Sequence, residues 1–330
     1  PLKERGKVLG INVAAVYSGL FLGPVIGGVL TDHFGWRSIF LAPVPLGFII
    51  IFLVFIKLKG EWAESKGEGF DFTGSMIYCL AILLIMYGFS LLPMNSGILM
   101  VLFGVIGIWV FIKWEMKLEY PVFAINVFRK NIPFIFSNLA AFINYSATFA
   151  TSFILSLYLQ YIKGLRPQDA GLILISQSIV MAVFSPFAGR LSDKIEPRII
   201  ASLGMGLTSF GLFLFSFIYE KTWLEFIIAI LILQGFGFAL FSSPNTNAVM
   251  SSVEKKFFGV ASGTIATMRL TGMMFSMGIA MLVFALSIGR VEITPPYYSH
   301  FLRSIKVIFG IFSILCFSGI FASLVKGKYK

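Results

Sequence analysis

Charge is what this 330-residue sequence has least of: Asp, Glu, Lys and Arg together make up 12% of it, against roughly a quarter of a soluble domain. A chain so poor in charge cannot clothe a water-facing surface, which excludes the ordinary soluble enzyme and nucleic-acid-binding classes. Cysteine is nearly absent as well. Cys79 and Cys316 are the only two; both fall inside apolar runs and read as small core residues, so neither a disulfide framework nor a thiolate metal site is implied. The two histidines, His33 and His300, lie in short loops and read as solvated. No phosphate-binding loop, metal-ligand cluster or nucleophile–base pair is found, so no cofactor or metal, ATP-driven pumping or enzyme chemistry is expected. No apolar run alternates with period two, which excludes a transmembrane barrel.

What fills the sequence instead is hydrocarbon. Hydrophobic residues make up 58% of the chain, and its mean hydropathy is +0.90. Crossing a bilayer as a helix takes about 20 apolar residues. Ten runs qualify, over 8–31, 38–56, 72–92, 97–115, 132–159, 169–189, 198–218, 223–246, 257–288 and 303–325, and they predict an all-α integral membrane protein. The net charge of +11 sits in the loops between these runs. With the N-terminus in the cytoplasm, the inside segments hold eighteen of the 26 lysines and arginines and the outside segments seven. That excess predicts a multi-pass protein of the cell membrane with both ends of this chain cytoplasmic and no nucleic-acid partner.

Arg269 is the remaining basic residue, and the only one well inside an apolar run. A cation at bilayer depth costs about 3 kcal/mol on insertion scales, so it normally faces a bundle interior or an aqueous cavity. Ser262, Arg269 and Ser276 are a heptad apart and share one helix face, with Gly272 close by. Such a face could bind an anionic substrate group or a partner carboxylate, with Glu115 and Glu225 the acidic candidates. Equally, the guanidinium could cap helix carbonyls where helices join. Asn138, Ala141, Tyr145, Thr148 and Ser152 form a polar or small stripe at spacings of three and four, which should point at protein or water rather than lipid. Gln234, Phe238, Ser242 and Asn245 share another face, and Gln177 lies in the run between. An aromatic-rich cavity with few polar groups would suit amphipathic or cationic small molecules.

Three local features complete the reading. Gly19, Gly23 and Gly27, with Pro24 and Gly28 beside them, predict a kinked first helix whose glycine face admits a neighbouring backbone. Asp71 reads as the N-cap of the third run, after a polar linker from Lys57. Trp114 to Phe128 reads as an amphipathic segment in the headgroup region.

The string from Gly19 to Gly28, followed by Gly35-Trp36-Arg37-Ser38-Ile39-Phe40, resembles the antiporter motif of drug:proton antiporters of the major facilitator superfamily, most closely the fourteen-span EmrB/QacA type. Glu119-Tyr120-Pro121 through Asn131, Gly235-Phe236-Gly237 through Pro244, and Gly259 to Gly263 with Arg269 to Gly272 resemble later landmarks of that branch in the same order. The resemblance implies a secondary transporter working by alternating access. By it, residues 1–58 end an N-terminal bundle, 59–71 form a cytoplasmic linker, 72–115 a central two-helix insertion, 116–131 an interfacial segment, and 132–330 a six-helix C-terminal bundle. Four earlier helices would then lie upstream, including the acidic and basic residues that couple protons in the family; nothing here replaces them. The matching family helix makes the stripe through Asn138, Tyr145 and Thr148 cavity-lining. Gly189-Arg190-Leu191-Ser192-Asp193-Lys194, with Arg198 after it, is similar to the superfamily's cytoplasmic loop motif, in a degraded copy with Glu196-Pro197 out of pattern. There Asp193 would act as a conformational latch, although an ordinary basic turn fits too. The implied partners are a small-molecule substrate, protons and the lipid bilayer. Proton-coupled drug export is the expectation; a specific metabolite, peptide or siderophore transporter, or a non-transporting truncated protein, are the alternatives.

Overall fold

A computed structural model describes residues 37–57, 71–118, 131–289 and 293–325, with Pro121, Arg129 and scattered positions of 8–35. No strand occurs among the described residues, and nine helices there are long and apolar enough to cross a membrane. We label them α1 (Ser38–Lys57), α2 (Phe72–Leu91), α3 (Asn95–Glu115), α4 (Ile132–Ile162), α5 (Pro167–Ser192), α6 (Pro197–Phe215), α7 (Leu224–Ser251), α8 (Phe258–Ser287, after a short 3-10 turn from Lys255) and α9 (Tyr298–Leu324, after a short 3-10 turn from Pro295). They fall on nine of the ten expected runs. Most of the first run, with Gly23, Pro24, Gly27, Gly28 and His33, lies outside the described residues, as do the linker over 58–70 and 122–128 of the interfacial segment.

Helices α4 to α9 share one apolar core. In it α7 packs between α5 and α6, α6 against α9, and α4 against both α8 and α9. Facing glycines bring α6 and α7 together: a Cβ on Gly204 would stand 2.5 Å from the Gly237 carbonyl, a contact open only to small residues. Ser209 and Ser313 fasten α6 to α9, each hydroxyl donating to the other's carbonyl at 3.0 Å. The α2–α3 hairpin leans on α8 through Phe89 and Phe275, whose ring centroids are 4.4 Å apart. Around the outside large apolar side chains stay exposed, with Leu203 at 61% and Ile314 at 72%. In water such a surface would aggregate; against acyl chains it carries no comparable penalty.

Local chemistry sets several helix ends. Asp71 caps α2 as expected, its Oδ1 accepting from the Gly74 N–H at 2.9 Å, and its Oδ2 accepts from Trp114 Nε1 of α3 at 3.1 Å. Asp71→Ala removes both bonds. Loss of such a cap costs about 1 kcal/mol, so the unfolding temperature should fall by roughly 2–4 °C in a detergent melt; an unchanged melt would dismiss the cap as stabilising. Cys79 is a correction. It is exposed on α2, while Cys316 is buried in α9, because the hairpin has a wide outer face that hydropathy alone does not distinguish from core.

Candidate functional site

The site is built where α4, α7 and α8 meet. Arg269 of α8 is half-buried, and its Nη2 donates to Thr246 Oγ1 of α7 at 2.7 Å. The Thr246 hydroxyl in turn donates to the Ser242 carbonyl at 2.8 Å, so its oxygen is turned to accept. The guanidinium stands 5.6 Å from the ring centroid of Tyr145 on α4, within cation–π range. Phe238 of α7 meets the same ring edge-on at 5.3 Å. Arg269 Nε is buried without a hydrogen-bond partner. The partner of this cation is therefore a hydroxyl and an aromatic face; neither Glu115 nor Glu225 supplies it.

Gly272, one turn on from Arg269, sets how closely α8 can approach. A Cβ there would lie 2.6 Å from the Phe142 carbonyl and 3.0 Å from Tyr145 Cβ. One further turn on, Ser276 Oγ accepts from the Ala150 N–H at 3.0 Å, at the break in α4 between Thr148 and Ala150. Gly272 and Ser276 thus dock α8 on α4, and the docking holds Arg269 over Tyr145. Ser262, assigned to the same face, is exposed and takes no part, because it lies two turns nearer the start of α8.

The α4 stripe turns inward for most of its length. Asn138, Ala141, Tyr145 and Thr148 are all buried. Asn138 Nδ2 donates to the Phe134 carbonyl at 2.9 Å while its Oδ1 is buried without a partner, and Thr148 donates to the Asn144 carbonyl. Ser152 breaks the pattern by being exposed. On α7, Gln234, Phe238, Ser242 and Asn245 are all buried. Gln234 leans on α6, since a Cβ on Gly211 would touch its Cγ at 2.8 Å, and both its amide atoms are buried without partners. Gln177 is only half-buried and meets α7 through its backbone carbonyl, opposite Gly235.

At the far end of α5, Gly189 is buried and Arg190 and Asp193 are exposed. Arg198 pairs with Glu196 at 2.5 Å and donates to the Leu324 carbonyl of α9 at 3.2 Å, so Glu196, the residue out of pattern, is what holds it. Sequence reasoning missed a second tie: Asn247 Nδ2 donates to Ser192 Oγ at 3.1 Å, joining the ends of α5 and α7. Its only signal was an Asn in an otherwise small and polar tail of α7. In the first run Gly19 is exposed, and among the described residues nothing lies within 4 Å of an added Cβ. The close approach is at Gly10, whose Cβ would meet the Ser185 carbonyl at 2.7 Å and Gly189 Cα at 3.3 Å.

Comparison with known proteins fits this architecture. The family model of the Major Facilitator Superfamily matches residues 1–121 and 138–329. The riboflavin transporter RibZ of Clostridioides difficile is 29% identical over 326 residues, covering 97% of this chain and 70% of that protein. Multidrug resistance protein Stp of Mycobacterium tuberculosis is 26% identical over 275 residues, 82% of this chain and 51% of Stp. Methyl viologen resistance protein SmvA of Salmonella typhimurium is 25% identical over 297 residues, 87% of this chain and 58% of SmvA. The chain spans from about half to 70% of the length of these relatives. A match that takes in nearly every helix of the bundle leaves one conclusion: the chain belongs to the Major Facilitator Superfamily of membrane transporters.

Proposed function

We propose that the protein is a secondary active transporter that exports small amphipathic molecules against a proton gradient, in the manner of the fourteen-span drug antiporters. The observation that carries this reading is the Arg269–Thr246–Tyr145 cluster, a charged group held among three helices inside an apolar bundle, where such a residue marks a pathway. The similarity to Stp and SmvA supports drugs as substrates. In this reading 132–330 is the C-terminal bundle, 72–115 the central insertion, 116–131 the interfacial segment, 59–71 the linker and 1–58 the end of the N-terminal bundle. Both ends of the chain are cytoplasmic, and the bundles rock about the contact of Gly10 with α5. Gly189, Arg190, Asp193 and Arg198 form the cytoplasmic gate loop, with Asp193 as the latch.

A narrower reading is favoured by the charge of the site. A fixed cation with one N–H buried and unpartnered can donate to the carboxylate or carbonyl of an anionic or carbonyl-rich metabolite. RibZ, whose name describes riboflavin transport, aligns along 97% of this chain. Uptake into inverted vesicles separates the two readings. Drug export predicts accumulation of a fluorescent lipophilic cation that riboflavin does not inhibit. The metabolite reading predicts no cation uptake and saturable riboflavin or organic-anion uptake. Neither activity in correctly inserted protein would leave a non-transporting role.

A further inference from the structure

Away from Arg269, the outer face of the bundle carries a groove of about 460 Å³ between α5 and α7, within the ~300–1,000 Å³ range of ligand pockets. Phe184, Phe187, Leu191, Phe236 and Leu240 form its apolar walls, and Arg190 and Lys194 line its end. Phe236 and Leu240 flank Phe238 at two residues either side, about 160° round the helix at about 100° per residue. Since Phe238 faces Tyr145 inside the bundle, the groove opens outward. On α5 Phe184, Phe187 and Leu191 likewise lie roughly opposite Ser185, Pro186 and Gly189, the face that meets Gly10. Phe187 is 59% exposed and Leu191 39%.

We infer that this groove binds one anionic phospholipid, its acyl chain along the phenylalanines and its phosphate on Arg190 and Lys194. Arg190 lies in the last turn of α5 and Lys194 in the turn that follows its end at Ser192, so both cations sit at the end of the span, where a bilayer-crossing helix meets headgroups. Arg190 stands 6.0 Å from the Phe187 ring centroid, so the basic end and the apolar wall form one continuous surface. Two acidic residues stand near the pair. Glu196 is engaged by Arg198, and Asp193 is not among the groove's lining residues. Basic pockets between helices that open at headgroup level are what anionic headgroups recognise, and a free phosphate would leave the apolar walls unused.

The test is native mass spectrometry of the purified, delipidated chain titrated with phosphatidylglycerol or phosphatidylcholine. One tightly retained phosphatidylglycerol is expected, about tenfold or more over phosphatidylcholine. The Arg190→Gln/Lys194→Gln variant should lose that preference. Arg190→Lys/Lys194→Arg, which keeps the charge, should retain it, and so should Lys255→Gln/Lys256→Gln, which removes two charges from a different loop. Equal retention of both lipids by the parent protein would overturn the inference. So would an unaltered preference in Arg190→Gln/Lys194→Gln, or an equal loss in the Lys255/Lys256 control.

Discussion

Arg269→Ala is expected to lower transport by roughly 10- to 100-fold while shifting the melting temperature by only a few degrees. The two effects separate because they draw on different interactions. Hydrogen bonds between membrane helices average about 0.6 kcal/mol, and a cation–π contact adds about 0.5–2 kcal/mol. Losing the Thr246 bond and the Tyr145 face is thus a small loss to a bundle with a core running through six helices, and alanine leaves no stranded charge. Transport is exposed to more than this. A guanidinium with a buried, unpartnered Nε has capacity for a charged hydrogen bond worth about 1.5–3 kcal/mol, which is tenfold or more in rate or affinity. Arg269→Lys keeps the charge without the planar fork and should fall between the two. Wild-type transport by both variants would reduce Arg269 to a helix-packing residue.

Gly272→Leu should be the most damaging single change to the fold near the site. The first atom of any side chain there meets backbone, the Phe142 carbonyl at 2.6 Å and the Ser146 nitrogen at 3.2 Å, and backbone within a packed helix cannot swing aside. Overpacking of this kind costs about 1–3 kcal/mol, or roughly 3–8 °C in melting temperature. Because α8 must retreat from α4, the same change lifts Arg269 off Tyr145, and transport should fall with stability. Gly272→Ala should show both losses at smaller size. A leucine variant that melts with the parent protein would mean that α8 does not rest on α4 at this point.

Much of the fold could be read in the sequence because lipid imposes a simple rule: a helix buried in hydrocarbon must be apolar for about 20 residues. The departures fall where that rule stops. The α7 run ends near 246 by hydropathy, but the helix continues to Ser251, since Asn245, Thr246 and Asn247 are polar yet buried against protein. The last helix begins at Tyr298 rather than 303, with a polar first turn that hydropathy does not count. Arg269 was legible because a lone cation in an apolar run needs a reason. Its partner was not, since no periodicity within one helix says which residue of another will face it. The inward α4 stripe was likewise legible through Thr148 and failed at Ser152, which is exposed although the spacing puts it on the same face.

Dependence on a proton gradient tests the account most directly. Inverted membrane vesicles would carry either residues 1–330 or the protein extended to the length of its relatives, and would be given an acid-inside gradient. Accumulation of a lipophilic cation and of riboflavin would be followed before and after the gradient is collapsed. The account predicts that the extended protein accumulates one of the two, that collapse abolishes the accumulation, and that Arg269→Ala reduces it at least tenfold. Accumulation that survives collapse, or none above empty vesicles from correctly inserted protein, would contradict it.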